Sequence, residues 1–245
     1  QWKGRHKAMA YIVQNMTWPM VKERLEVCST AIVPIGSTEQ HGYHLPLGTD
    51  VFLAEHLARL ISDRTGALVF PTLNFGYSWV WRDRIGTVSL PQDHLQLILK
   101  DIVKSVERYG VTKLVFLNGH EANGASMKYA IRDIQDTTSV KVLGMFYPGL
   151  QPIYDKYMES PTWGGMFHAC EFETSLMLSA REELVHMDLA QAEYPDRPPL
   201  YGMDNTSIGD LSVSGTYGDP TAAAKDKGDR MFEEFAAKAA DLITM

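Results

Sequence analysis

Through the first 150 residues of this 245-residue chain, short apolar runs rich in β-branched residues alternate with amphipathic stretches. That alternation is hard to satisfy except with a mostly parallel sheet whose strands are joined by right-handed helical crossovers. The segment "STAIVPIG" reads as a strand buried on both faces and closed by Pro and Gly. From Val51, "VFLAEHLARLISDRTG" places Phe52, Leu53, Leu57, Leu60 and Ile61 near one face of a helix, and Gly66 supplies a left-handed stop. "ALVFPTLNFG" reads as a second strand, "VTKLVFLNGH" as a third and "VKVLGMFYP" as a fourth. Between them lie a helix begun by Pro91 and ended by Gly110, and another over "NGASMKYAIRDIQDT". The stretch from Gly149 to about Gly164 reads as an aromatic loop, and "ACEFETSLMLSAREEL" as a helix opening just after His168. Residues 191–220, rich in Gly, Pro, Asp and Ser, read as a functional loop, and an amphipathic helix closes the chain. The expectation is one α/β domain over residues 1–245, with a central sheet covered by helices on both faces. The first ten residues are expected to be disordered or extraneous to it.

Composition narrows the partners. Hydrophobic residues at 45% and charged residues at 22% fit a globular protein with a sizeable core. A net charge of −7 argues against a nucleic-acid binder, which needs a basic surface to displace counterions, so small molecules are the expected partners. No apolar stretch is long enough to span a bilayer, and the N-terminus lacks the apolar segment of a signal peptide. Two cysteines, Cys28 and Cys170, in no paired spacing fit a reducing compartment, with the cytoplasm as the default.

In an open parallel sheet, ligands bind beyond the carboxyl ends of the strands. Two predicted strands end there in histidine-bearing loops. "PIGSTEQHGYHLPLGTD" delivers Glu39 and His41, whose spacing of two puts both on one side of an extended backbone; "NGHEANG" delivers His120. Asp50 sits at the mouth of the next helix, where it can cap the helix, bind a cation, or do both. Two imidazoles and two carboxylates suit Zn²⁺ or Mn²⁺, and Glu173, just inside the helix after His168, is a fifth candidate. His44 is compatible with a hydrogen-bonded loop histidine, and His56, His94 and His186 read as surface or structural.

"PIGSTEQHGYHLPLGTD", "NGHEANG", "HACEFETS" and "GTYGDPTAAAKDKG" together resemble the creatininase (creatinine amidohydrolase) family, in the same order and with similar spacing. The resemblance implies a creatininase-like α/β fold, a two-metal site and a homohexamer. It implies Glu39, His41, Asp50 and His120 as metal ligands with Asp50 bridging two ions, His168 as a catalytic histidine, and Glu173 at or beside the metals as ligand or acid–base group. One departure matters: creatininase proper carries a glutamate ligand two residues after the histidine matching His120, and here Ala122 stands there. Glu121 is adjacent but is expected to point elsewhere, so Glu173 is expected to complete the second site, and creatinine itself becomes a weaker substrate candidate. A second departure lies in "YSWVWRDRIGTVSL", where Trp81, Arg82 and Arg84 replace the family's more usual residues. These three, with Trp163, are candidates to contact the substrate: an arginine as a planar fork and a tryptophan as a wall or gate.

Two divalent ions can bring the pKa of a bound water toward ~7 and polarise a carbonyl, so no side-chain nucleophile is required. The chain has no Gly-x-Ser-x-Gly elbow, and Cys170 reads as packing. His168 is placed to carry a proton from that water to the leaving group. The expected reaction is hydrolysis of a cyclic or formyl amide. The alternatives are ring opening of a cyclic diketone, as in inositol (3-dehydro-inosose) catabolism, and, from another class, a catalytically inactive metal-stabilised binding protein.

Overall fold

The sheet is built outward from two six-residue strands, Thr30–Ile35 and Lys113–Asn118, paired in register from Thr30 opposite Lys113 to Ile35 opposite Asn118. The computed structural model describes residues 10–245. In chain order the strands are β1 (Tyr11–Ile12), β2 (Thr30–Ile35), β3 (Leu68–Val69), β4 (Lys113–Asn118) and β5 (Lys141–Phe146), all parallel, in spatial order β1-β3-β2-β4-β5. The helices are α1 (Trp18–Val27), α2 (Thr49–Thr65), α3 (Gln92–Glu107), α4 (Gly124–Ile134), α5 (Leu150–Tyr157), α6 (Glu171–Arg181) and α7 (Lys225–Thr244). Residues 1–9, on which the expectation for the first ten residues falls, lie outside the described residues.

The period-two alternation of β2 and β4 sorts their side chains into two cores. Ile32, Val115 and Leu117 face Leu53, Leu57 and Ile61 of α2, Phe172 of α6, and Phe232 and Phe235 of α7. Ala31, Val33, Ile35, Leu114 and Phe116 face Leu95, Leu99 and Val103 of α3 and Met127, Ala130 and Ile134 of α4. Helices therefore cover both faces, as the strand–helix alternation predicts.

Two sequence expectations are corrected. The segment "ALVFPTLNFG" pairs as a strand only over Leu68–Val69, because Pro71 has no N–H for the ladder; beyond it the chain keeps isolated contacts, Phe70 N with Ile32 O, Leu73 N with Pro34 O and Gly36 N with Leu73 O. The Gly149–Gly164 stretch is not wholly loop: Gly149, at φ 82°, opens α5, which buries Ile153 and Tyr154.

The topology fixes where a ligand can go. From β2 the chain crosses to β3 on one side, and from β4 to β5 on the other, so the switch point lies between the carboxyl ends of β2 and β4. The N-terminus of α2 is driven into that notch. A Cβ on Gly36, just after β2, would lie 2.5 Å from Val51 N, and one on Gly119, just after β4, would collide with Asp50 O. Only glycine at both positions lets α2 approach so closely.

Candidate metal centre

Asp50 occupies the first turn of α2, while Gly48 takes the N-cap position, so the carboxylate does not cap its own helix. It is 1% exposed and points into the notch, where Glu39 and His41, both fully buried, arrive from the loop after β2. His120 arrives from the loop after β4. Its Nδ1 lies 3.0 Å from Asp50 Oδ2 and 3.3 Å from Glu39 Oε1, whereas His41 Nε2 lies 3.1 Å from Asp50 Oδ1. Each oxygen of one carboxylate thus faces a different imidazole.

The ring hydrogens can be assigned from the opposite edges. His120 Nε2 is 2.9 Å from Tyr77 O and His41 Nδ1 is 3.2 Å from Glu39 O. A carbonyl only accepts, so those nitrogens carry hydrogen, and each neutral ring turns a lone pair toward carboxylate oxygens. With both rings neutral, Glu39 Oε1, Glu39 Oε2 and Asp50 Oδ2 find no hydrogen-bond donor among the described residues. Lone pairs facing lone pairs in a dry site need a positive charge among them. Protons can supply part of it: burial opposes charging either ring, yet Asp50, Glu173 and Glu39 hold His41 up at about 10, and Glu39 and Asp50 hold His120 up at about 10. Burial resists ionising Asp50, but both imidazoles keep it well below the usual carboxylate range. Burial raises Glu39, partly offset by His120.

Ligand atoms group within 4.8 Å as Glu39–Asp50–His120 and as His41–Asp50–Glu173, two sets sharing Asp50, with a third set formed by Glu39, His41 and His168. The donor set fits two borderline divalent cations. Glu173 enters through a strained turn: Ala169, at φ 49°, aims its N–H at Glu173 Oε2 at 2.5 Å, leaving Oε1 4.0 Å from His41 Nε2. Burial lifts Glu173 to about 7 against the pull of His41. Ala122 is in the short turn after His120, and Glu121 beside it is exposed and outside the cluster.

His168 lies against this cluster. Its Nε2 is 2.9 Å from Gln40 O, its Nδ1 is 3.8 Å from Glu39 Oε1, and its ring stacks on Trp81 at 4.6 Å. Burial, then the neighbouring His41, lowers its pKa well below the ordinary value. Trp81 and Trp163 are both buried in one aromatic group with Tyr217 between them, and Trp163 Nε1 donates to Pro195 O at 2.5 Å. Arg82 is exposed and lies over the Trp79 ring at 4.0 Å. Arg84 is half-buried and gives its guanidinium to Ser212 O, Val213 O and Gly209 O. Cys170 is packed at the start of α6, where burial raises its thiol. His44 bonds Thr174 Oγ1 through Nε2, and His56, His94 and His186 stand outside the cluster.

Sequence reading overlooked the groups that hold the ligands. Asn118 at the end of β4 accepts from His120 N and donates to His120 O, while Asn123 Oδ1 accepts from Tyr77 N and so fixes the carbonyl that meets His120 Nε2. Their place inside "NGHEANG" was the available signal. Tyr147, at φ 37° just beyond β5, is buried with no partner for its hydroxyl among the described residues; no local pattern marks it.

Residues 14–243 match the family "Creatininase", described as creatinine amidohydrolase. The chain is 28% identical over 249 residues to creatinine amidohydrolase of Pseudomonas putida, covering 94% of this chain and 95% of that one. It is 29% identical to a mycofactocin precursor peptide peptidase of Mycobacterium ulcerans, covering 89% and 82%, and 29% identical to 3-dehydro-scyllo-inosose hydrolase of Thermotoga maritima, covering 72% and 58%. Among solved structures, a creatininase variant of Zn-Zn type superposes with a TM-score of 0.81 at 27% identity, covering 96% of this chain and 97% of that one. A manganese form of creatininase gives 0.82 at 26% identity with the same coverage. With the fold, the shared-aspartate cluster and a match over nearly its whole length, the chain belongs to the creatininase family.

Proposed function

We propose that the chain is a metal-dependent hydrolase that cleaves an amide C–N bond, cyclic or formyl, with two divalent ions, zinc or manganese. The observation that carries this reading is the pair of carboxylate–imidazole sets that share Asp50, with three buried carboxylate oxygens that, with neutral rings, lack a donor among the described residues. Glu39, Asp50 and His120 would hold one ion, and His41, Asp50 and Glu173 the other. When bound, such ions acidify a water and polarise a carbonyl. His168 handles the proton. With its ring hydrogen given to Gln40 O, Nδ1 is the open nitrogen on the cluster side, and its low basicity lets it return to the leaving nitrogen the proton it takes from water. With no cation bound Glu173 sits at about 7, so near neutral pH it would give up its own proton as it takes up the second ion.

Trp81 forms the floor beneath His168, and Trp163 the wall beyond Tyr217. Arg82 is an exposed cation over Trp79 nearby, and Arg84 serves by holding the backbone at Ser212. The peptidase and amidohydrolase names of the relatives support amide chemistry, and the inosose hydrolase keeps a cyclic diketone as the second substrate class. We place the hydrolase domain over the whole chain, assembled as a homohexamer in the cytoplasm; two free cysteines support the compartment. Among the described residues no helix is long and apolar enough to cross a membrane.

The test is metal analysis of protein purified without chelator, followed by a turnover screen over creatinine, a formylated aminopyrimidine, short peptides and a cyclic diketone. Two ions per chain with amide hydrolysis are expected. Turnover of the diketone alone would transfer the assignment to ring opening, and no bound ion with no turnover would overturn the hydrolase reading.

A further inference from the structure

Glu193 and Arg84 grip one turn, residues 212–216, by its opposite chemical ends. The Glu193 carboxylate collects donors: Val213 N at 2.7 Å, Ser214 N at 2.8 Å, Ser212 Oγ at 2.8 Å and the Ser214 hydroxyl. Arg84 collects acceptors on the same segment, Ser212 O at 2.5 Å and Val213 O at 3.2 Å. Glu193 is further fixed by a reciprocal main-chain pair with Gly218, 3.0 Å each way. Four donors on one carboxylate, with a cation on the adjoining carbonyls, leave the turn little freedom.

The held turn ends on His168. Gly215 O accepts from Gln40 Nε2 at 3.1 Å, Gly42 N donates to Gln40 Oε1 at 3.0 Å, and Tyr217 exchanges main-chain bonds with His168 at 3.2 and 2.8 Å. Gly215, at φ 88°, lies so close that a Cβ there would collide with the Gln40 amide. Gln40 in turn surrounds His168 Nε2 with two rival partners: its main-chain carbonyl at 2.9 Å, which only accepts, and its side-chain nitrogen at 3.0 Å, which only donates. The carbonyl favours a hydrogen on Nε2 and an open Nδ1; the amide favours the reverse tautomer, with Nδ1 blocked. Which one prevails depends on where the amide is held.

We propose that Glu193 and Arg84 are positioning residues that, through the 212–216 turn and Gln40, keep the His168 ring hydrogen on Nε2 and its Nδ1 open toward the metal cluster. This rests on the reading of His168 as the proton carrier, but its test does not. Released from Gly215 O, the amide swings to donate squarely to Nε2, and the ring hydrogen moves to Nδ1. Both positioning residues bond the 209–214 segment rather than the cluster's ligand atoms.

The test uses the full chain labelled with ¹⁵N-histidine and loaded with zinc, with long-range ¹H–¹⁵N spectra assigned by comparison with His168→Ala. The intact chain is expected to show His168 as a single Nε2–H tautomer. Glu193→Ala, and independently Gly215→Ala, should shift at least about a tenth of the population to the Nδ1–H form, which corresponds to roughly a tenfold change in the tautomer ratio from a 99:1 starting point. Glu193→Gln, which keeps one accepting oxygen, should fall between. Zinc content and the His41 and His120 signals should not change, which separates repositioning from collapse of the site. An unchanged His168 pattern in both Glu193→Ala and Gly215→Ala overturns the proposal, as does a wild-type ring already on Nδ1. Full turnover by His168→Ala would instead overturn the proton-carrier reading while leaving the tautomer result standing.

Discussion

Asp50 divides the work between its two oxygens, one beside His41 and one beside His120, and that division predicts how metal is lost residue by residue. Asp50→Ala should empty both positions. His120→Ala should empty the one it shares with Glu39, and His168→Ala should retain both ions while suppressing turnover by roughly 10²–10⁴-fold, the range for a lost general acid–base. Metal analysis after dialysis checks the pattern; equal loss from His168→Ala and Asp50→Ala would refute the assignment. The same atoms predict a pH effect. With no cation present, both imidazoles are held at about 10, so at pH 7 each ring carries two hydrogens. Ligation needs a free lone pair on each, so zinc uptake at pH 7 must release those ring protons, and zinc affinity must fall as pH falls. Titration calorimetry in buffers of different ionisation enthalpy measures the release. Heats independent of buffer would mean that the rings are already neutral.

At the level of elements, the notch between β2 and β4 is set by glycines rather than by ligands. Gly119→Ala would push against Asp50 O, and Gly36→Ala against Asp50 C and Val51 N, all backbone atoms that cannot rotate aside. Either change should shift the N-terminus of α2, lower zinc affinity at least about tenfold, and leave far-ultraviolet circular dichroism close to unchanged, because a displacement near 1 Å spoils ligation before it unfolds a helix. Zinc binding as tight as in the intact chain would show that α2 does not rely on that close approach. Strongly periodic elements were legible in the sequence. The apolar stripe of α2, with Leu53, Leu57 and Ile61, emerges as drawn, and so does its stop at Gly66, with φ 71°. The helix α1 gave no such signal because none of its residues is buried, and α5 carries Pro152 near its start and buries only Ile153 and Tyr154. Among site residues, Glu39, His41 and His120 could be read from the loops after predicted strands, and Asp50 from the start of the following helix. The holding groups Gln40, Glu193 and Arg84 could not, since their partners, many of them main-chain atoms, lie up to 175 residues away and leave no local pattern.

For the whole molecule, the cluster joins α2, α6 and the loops after β2 and β4, so ions held there tie together elements distant in sequence. Chelation should therefore lower the melting temperature: a ligand held at 100 times its dissociation constant adds about 2.7 kcal/mol to the folded state. Calorimetry with and without chelator, with zinc added back, measures it, and equal melting temperatures would contradict a ligand-bound native state. The surface near the site carries the last prediction. Ile85 is 98% exposed and Val213 77% exposed. They are neighbours: Arg84 bonds Val213 O, Tyr43 OH reaches the same carbonyl, and Leu47 presses on Gly86. Ile85, Val213, Tyr43 and Leu47 thus expose large apolar side chains on one rim of the notch, where a monomer would gain nothing from them. Covering that rim with another copy removes the apolar area from water and shields the 212–216 turn at the same time. Analytical ultracentrifugation of the intact chain should give a mass several times that of one chain, and Ile85→Asp should reduce it, because taking a carboxylate out of water at an apolar contact is costly. A monomer at micromolar concentration, or an Ile85→Asp assembly of unchanged mass, would remove this rim from any contact between copies.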